Sequence, residues 1–281
     1  MLFPLRILFA TLLLLLAAGP AAAETLAEKN LRDIVARQKG IFARAEAEKD
    51  HPDEAWLRGE LQSVINSYDV LIQKSPDFAA AYVAYGLLLS QVGMTREAAS
   101  FLLKANKLDP GIPLVKNEMA RLLAEDGKPA EALPWLMAAI DLAPKEPLYH
   151  YHLGKLLTEG RDDLIATGQF TRASLDKAML DAFKRGAELA PDIYAYAYRQ
   201  AEAYYDLETP RWDEALALWS ALEQHAKPGI EQQTIRLQAA NVLIKLGRPD
   251  HARALMITVT EEVLQKQKQT LLDELARPSA K

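Results

Sequence analysis

The sequence predicts an all-α fold, a solenoid of about five helix-turn-helix repeats closed by helical caps, and three observations carry that expectation. The first is a period of 34 residues. Leu108-Asp109-Pro110 and Leu142-Ala143-Pro144 are similar phrases one period apart, Pro76 lies one period before Pro110, and the pairs Gly93/Gly127, Ala98/Ala132, Leu102/Leu136 and Ala105/Ala139 keep the same offset. A fixed spacing of this length marks stacked repeats, because one short hairpin cannot bury its own apolar face. The second observation is helical spacing inside each period. Tyr82, Tyr85, Gly86 and Leu89, then Ala98, Leu102 and Ala105, recur every three or four residues, which puts each set on one face of a helix. The third is punctuation. Gly93 and Gly127 fall between the two apolar stripes, where a turn can use positive φ, and the prolines follow the second stripe, where no further helical N–H is needed.

Taken in order, the chain begins with an export-type segment. Arg6 precedes the run Ile7 to Ala18, which is apolar except for Thr11, and Gly19-Pro20 breaks it before Ala21-Ala22-Ala23. The run is short of the roughly 20 residues that span a bilayer, and small residues sit where a signal peptidase cuts. Residues 1–23 are therefore expected to be a signal peptide cleaved before Glu24, with the protein periplasmic or secreted; the alternative is an uncleaved inner-membrane anchor. Residues 24–78 follow as a helical hairpin or degenerate repeat. Leu31, Ile34, Val35, Ile41 and Phe42 form its first stripe, His51-Pro52-Asp53 breaks it, and a second helix reaches Lys74. The repeats are placed at 79–112, 113–146, 147–193, 194–229 and 233–266. The third carries 13 extra residues, near Thr158 to Phe170, where Gly160, Arg161, Asp162, Asp163 and Gly168 suggest an exposed connection. Leu264, Leu271, Leu272 and Leu275 lie among polar residues from Glu261 onward, a helix with one apolar face that would close the stack, with 267–281 as its end and tail.

Residues 79–112 supply Tyr82, Tyr85, Gly86, Leu89, Gly93, Ala98, Leu102, Ala105 and Pro110. The next period supplies Met119, Ala120, Leu123, Gly127, Ala132, Leu136, Ala139 and Pro144, and the third Leu153, Gly154, Leu157, Phe183 and Pro191. Looser copies follow, with Ala201, Tyr204, Ala215, Trp219 and Leu222, then Ala240, Leu243, Gly247, Ala252, Met256 and Val259. In residue type and spacing these segments resemble the tetratricopeptide repeat. The resemblance covers about 190 residues, with Tyr85 in a Leu slot and Lys116 in a bulky one as departures. It implies a right-handed superhelical solenoid.

Composition limits the function. With a formal charge of -5 the chain has no general attraction for nucleic acid or anionic lipid. Half of the residues are hydrophobic, enough for a sizeable core, and the absence of Cys removes disulfides, thiolate metal sites and a Cys nucleophile. There is no Gly-rich phosphate loop, no His-Glu-x-x-His and no Gly-x-Ser-x-Gly. His150 and His152 diverge by about 200° on a helix and make a poor metal pair. Asp162-Asp163 and Glu261-Glu262 read as solvated or capping groups. The expectation is a non-enzymatic protein without a cofactor or metal, binding neither nucleic acid nor, once cleaved, the membrane.

The resemblance implies instead that the first helix of each repeat lines a concave groove for a protein or peptide partner. Matching family slots hold Asn117, Arg121, Tyr151, Lys155, Tyr198, Glu202, Tyr205, Leu237 and Asn241. Seven of the ten tyrosines lie between Tyr149 and Tyr205, so aromatic anchors are concentrated in one stretch; Tyr carries large apolar area with a polar tip. Arg121 and Lys155 are expected to attract acidic groups. Tyr194, Tyr196 and Tyr198 are spaced by two and cannot all face one groove. Val83 and Leu87 occupy slots where chaperone-tail binders carry Lys and Asn, which disfavours a carboxylate clamp. The implied role is an exported scaffold or adaptor in envelope assembly. The alternatives are a carbohydrate-binding module or enzyme using the Tyr-rich groove, and a self-associating structural component.

Overall fold

The computed structural model describes residues 24–51 and 53–276. The expected signal peptide at 1–23 and the last residues of the tail lie outside the described residues. Among the described residues there is no strand, and no helix is long and apolar enough to cross a membrane. Two compact units divide the chain, one up to Pro144 and the other from Lys145.

The first unit contains three helical hairpins: α1 (Leu26–Ala47) with α2 (Glu54–Lys74), α3 (Ala79–Gln91) with α4 (Thr95–Leu108), and α5 (Pro113–Glu125) with α6 (Pro129–Leu142). Each begins and ends where local chemistry dictates. A reciprocal Thr25–Glu28 capping box starts α1, Asp53 caps α2, and Pro113 and Pro129 open α5 and α6. At the first hairpin turn of the periodic region, the N–H of Met94 bonds to Leu89 O and that of Gly93 to Ser90 O, with Gly93 at φ 81°. One period later Lys128 and Gly127 repeat both bonds on Leu123 and Ala124, with Gly127 at φ 71°. Glycine at these two positions is thus a backbone requirement. Ala98, Leu102, Ala105, Ala132 and Ala139 have no exposed surface. Gly86 allows close approach of α3 and α4, since a Cβ there would lie 2.9 Å from Leu102 Cγ. The N-terminal hairpin joins this core through aromatic rings. Tyr68 stacks on Tyr85 at 5.1 Å, Tyr85 meets Phe101 at 4.3 Å, and the buried Tyr68 hydroxyl donates to Gln38 at 2.8 Å.

The second unit starts with α7 (Pro147–Glu159), the short α8 (Arg161–Ala166) and α9 (Arg172–Leu189). It continues with α10 (Tyr194–Glu202), a 3-10 turn (Ala203–Asp206) and α11 (Trp212–His225). The pair α12 (Ile230–Lys245) and α13 (Pro249–Ile257) follows, and a 3-10 turn (Glu262–Leu264) leads into α14 (Gln265–Ala276). Gly154 brings α7 against Phe183 of α9, and Trp219 of α11 is fully buried. Leu264 and Leu271 are buried on Leu237, Leu243, Ala252 and Met256, with Leu272 and Leu275 packed beside them. Gln233 fastens the chain before α14 by accepting the N–H groups of Thr260 and Glu261 at 2.7 and 2.8 Å.

The extra residues of the third repeat are not the exposed connection that their polarity suggests. Gly160 has φ −92° rather than a left-handed value, so the chain runs on into α8 and turns only at Gly168, φ 76°. Leu164 has no exposed surface, while Ile165 and Phe170 are half-buried. The reason is a polar lock that hydropathy alone does not reveal. Arg161 and Arg172 both donate to the main-chain oxygen of Asp206, at 3.0 and 2.6 Å. Arg172 also pairs with buried Asp176 at 2.9 Å, and Asp176 accepts the N–H of Glu208 at 2.8 Å. The insertion therefore braces the lengthened turn between α10 and α11.

Candidate functional site

In the first unit the slot residues of α5 are built into the fold. Asn117 is 1% exposed, and its amide donates to Glu118 at 3.2 Å. Glu118 is equally buried; desolvation pushes its carboxyl above the usual range, and Arg121 at 2.9 Å works against that shift. Arg121 also binds Glu125 at 2.6 Å and donates to Ser90 of α3. Two carboxylates thus surround one guanidinium. Arg121 cross-links α3 and α5 and is not a spare cation aimed at a ligand, and the Asn117 side chain offers a ligand no surface.

The second unit gathers the remaining slot residues. Tyr194, Tyr198 and Glu202 are four residues apart on α10 and share one face of it. Tyr198 meets buried Trp219 edge-on at 5.0 Å and Tyr194 at 5.6 Å, and its hydroxyl accepts from Gln238 of α12 at 3.1 Å. Tyr205, on the 3-10 turn, donates to the main-chain oxygen of Gln238 at 3.1 Å and packs against Trp212 at 5.5 Å. Burial pushes the Tyr205 hydroxyl well above the ordinary phenol range, opposed by Asn241 and Trp219 close by. Trp219 Nε1 is buried and has no hydrogen-bond partner among the described residues. Tyr151 of α7 is half-buried between Phe183 at 5.9 Å and Tyr196 at 5.2 Å. Tyr196 points the other way from Tyr194 and Tyr198, into the core, as the two-residue spacing requires. Lys155 is 55% exposed, 3.7 Å from Glu159, an ordinary surface pair.

Sequence spacing does not single out the charged frame of this face. Arg199 bonds Asp206 at 2.9 Å and Thr158 at 3.3 Å, and its guanidinium lies 4.6 Å from the Phe183 ring centre. It is held on three sides. Glu202, one turn away, has no hydrogen bond or ion pair; burial is the main reason its carboxyl is raised, Arg199 lowers it and Asp206 raises it further. Gln238, which orients both Tyr198 and Tyr205, sits three residues before Asn241 and is the other feature missed from sequence. Among the described residues no group of His, Asp and Glu is placed to hold a metal ion.

The tetratricopeptide-repeat family model matches residues 79–112, the segment with the clearest periodic turn and packing. The crystal structure of YrrB, a tetratricopeptide-repeat protein with an unusual peptide-binding site, superposes with a TM-score of 0.58. Residues 79–112 are thus a tetratricopeptide repeat, and the chain shares the fold of tetratricopeptide-repeat solenoids. The match to YrrB covers 75% of this chain and 98% of YrrB at 18% identity. PilW, a type IV pilus biogenesis factor, gives a TM-score of 0.57 at 12% identity over 89% of this chain and all of PilW. PilF of Pseudomonas aeruginosa gives 0.51 at 15% identity, over 85% and 99%. At these identities the likeness is one of fold. No curated protein matches the sequence.

Proposed function

We propose that this protein is an exported, non-catalytic interaction scaffold that holds a protein or peptide partner on the α7–α10–α12 face of its second unit, in bacterial envelope assembly. The observation that carries the reading is the grouping of Tyr194, Tyr198, Tyr205 and Glu202 on that face, half-buried, with Gln238 bonded to both Tyr198 and Tyr205. Rigid aromatic groups with polar tips are the usual anchors of binding energy, because they bury large area while losing little side-chain entropy. Two likenesses support it: YrrB shares the fold and has a peptide-binding site, and PilW shares the fold and serves pilus biogenesis. The export-type sequence at 1–23 supports the location.

Partner capture in the envelope fraction by proximity labelling tests the reading. The partner recovered with the wild type is expected to be lost, by about 2 kcal/mol or more of affinity, from a Tyr198→Ala variant with unchanged circular dichroism. Equal recovery by both would sink it. N-terminal sequencing should find Glu24 first; retention of Met1 would contradict export by cleavage.

A further inference from the structure

The charges around the aromatic face are unequal in a way that specifies what it takes. On the cationic side, Arg199 is committed to Asp206, Thr158 and the Phe183 ring, and Lys155 stands beside Glu159 at 3.7 Å. Arg236 is engaged by Glu223 at 2.6 Å. On the anionic side, Glu202 is half-buried with neither a hydrogen bond nor an ion pair. Burial dominates the raised pKa of each surrounding phenol. Beyond that, the charge of Glu202 raises Tyr194, Tyr198 and Tyr205, with Glu231 adding at Tyr194, whereas at Tyr151 the larger charge effect is that of Arg199, which lowers it against Glu202 and Glu159. Glu202 shares one face of α10 with Tyr194 and Tyr198, and Gln238 ties Tyr198 to Tyr205, so one unpaired carboxylate stands beside tyrosines from two elements of the second unit. A partly desolvated, unpaired carboxylate is costly to the fold and gains most from a cation that brings its own hydrogen-bond donors. Tyrosine faces attract the same cation through their ring quadrupoles.

We infer that the Glu202-centred tyrosine cluster is a subsite for an organic cation, the ammonium or guanidinium of a Lys or Arg side chain presented by the partner. This rests on the reading that the α7–α10–α12 face binds a partner, and it supplies the chemistry of that contact. It also reverses the polarity expected from Arg121 and Lys155. Arg121 is surrounded by carboxylates within the first unit, so the available charge near the aromatic anchors is negative, and the complementary group is basic.

An array of random-sequence peptides, acetylated and amidated so that no terminal charge competes, is probed with the full chain, with Glu202→Gln and with Tyr198→Ala. Retained peptides are expected to share a Lys or Arg. Replacing that residue with norleucine should weaken binding to the wild type about tenfold, the scale of a charge-assisted hydrogen bond, and by less than about twofold to Glu202→Gln. Glu202→Gln is isosteric and removes an unpaired charge, so its melting temperature should match or exceed that of the wild type. Retained peptides without a shared cation, or a cation preference that survives in Glu202→Gln, would overturn the inference. In either case the partner-binding reading stands if Tyr198→Ala abolishes retention. Retention indifferent to Tyr198→Ala, or no retention at all, would bring down both.

Discussion

The same substitution, Gly→Ala inside a helix, should have opposite effects at two places in this chain. At Gly154 of α7 an added Cβ would lie 2.7 Å from Cδ1 and Cε1 of Phe183, against the 3.4 Å at which ordinary contact begins. One partner must move by about 0.7 Å, the difference between those distances. Phe183 has little freedom to move, being 1% exposed, with Tyr151 edge-on and the Arg199 guanidinium near its ring. Overpacking of this kind costs about 1 to 3 kcal/mol, while alanine recovers about 0.5 to 1 kcal/mol of helix propensity. Gly154→Ala should therefore destabilise by up to about 2.5 kcal/mol and lower melting by up to about 10 °C. Gly59 of α2 has no atom within 4 Å of an added Cβ, so Gly59→Ala keeps only the propensity gain and should stabilise by about 0.5 to 1 kcal/mol. Urea and thermal unfolding of both variants, followed by circular dichroism, give the comparison. If Gly154→Ala is as stabilising as Gly59→Ala, then Phe183 yields freely and close α7–α9 packing does not require glycine.

Two further outcomes follow from the buried and polar positions. Leu164→Ala, in the short helix of the extended third repeat, should cost about 2 to 5 kcal/mol, because a side chain with no exposed surface leaves a cavity; an unchanged urea midpoint would restore the picture of a dispensable surface loop. Arg121→Ala should cost about 2 to 3 kcal/mol of stability by leaving Glu118 buried without its cation, and Glu118→Gln in the same chain should recover much of that loss. A folded Arg121→Ala protein with wild-type melting would show that the pair does not hold α3 to α5.

Much of the fold can be read along the chain. The turns at Gly93 and Gly127, the buried Ala98 and Ala132, and the prolines after α2, α4, α6 and α9 all follow from rules acting within one period. Misjudgement of the third repeat has a definite cause. Gly160, Arg161, Asp162 and Asp163 look like loop residues because a polar run carries no apolar stripe, yet Arg161 is held by a main-chain oxygen 45 residues away. Tyr198, Glu202 and Tyr205 do come together, whereas Asn117 and Arg121 share the slot arithmetic but are taken up by Glu118.

Helix placement, the residues each hairpin buries and the need for glycine at its turns are properties of the sequence, because periodicity, side-chain volume and backbone φ act over a few residues and repeat every 34. Tertiary structure alone decided which charges are neutralised. Arg161, Arg172 and Arg199 come from three helices to one aspartate, Arg121 closes on Glu118, Glu125 and Ser90, and Glu202 stays without a partner among tyrosines. A hydrogen bond forms or fails within a few tenths of an ångström, and the tips of long side chains on separate helices reach that precision only once the helices are packed.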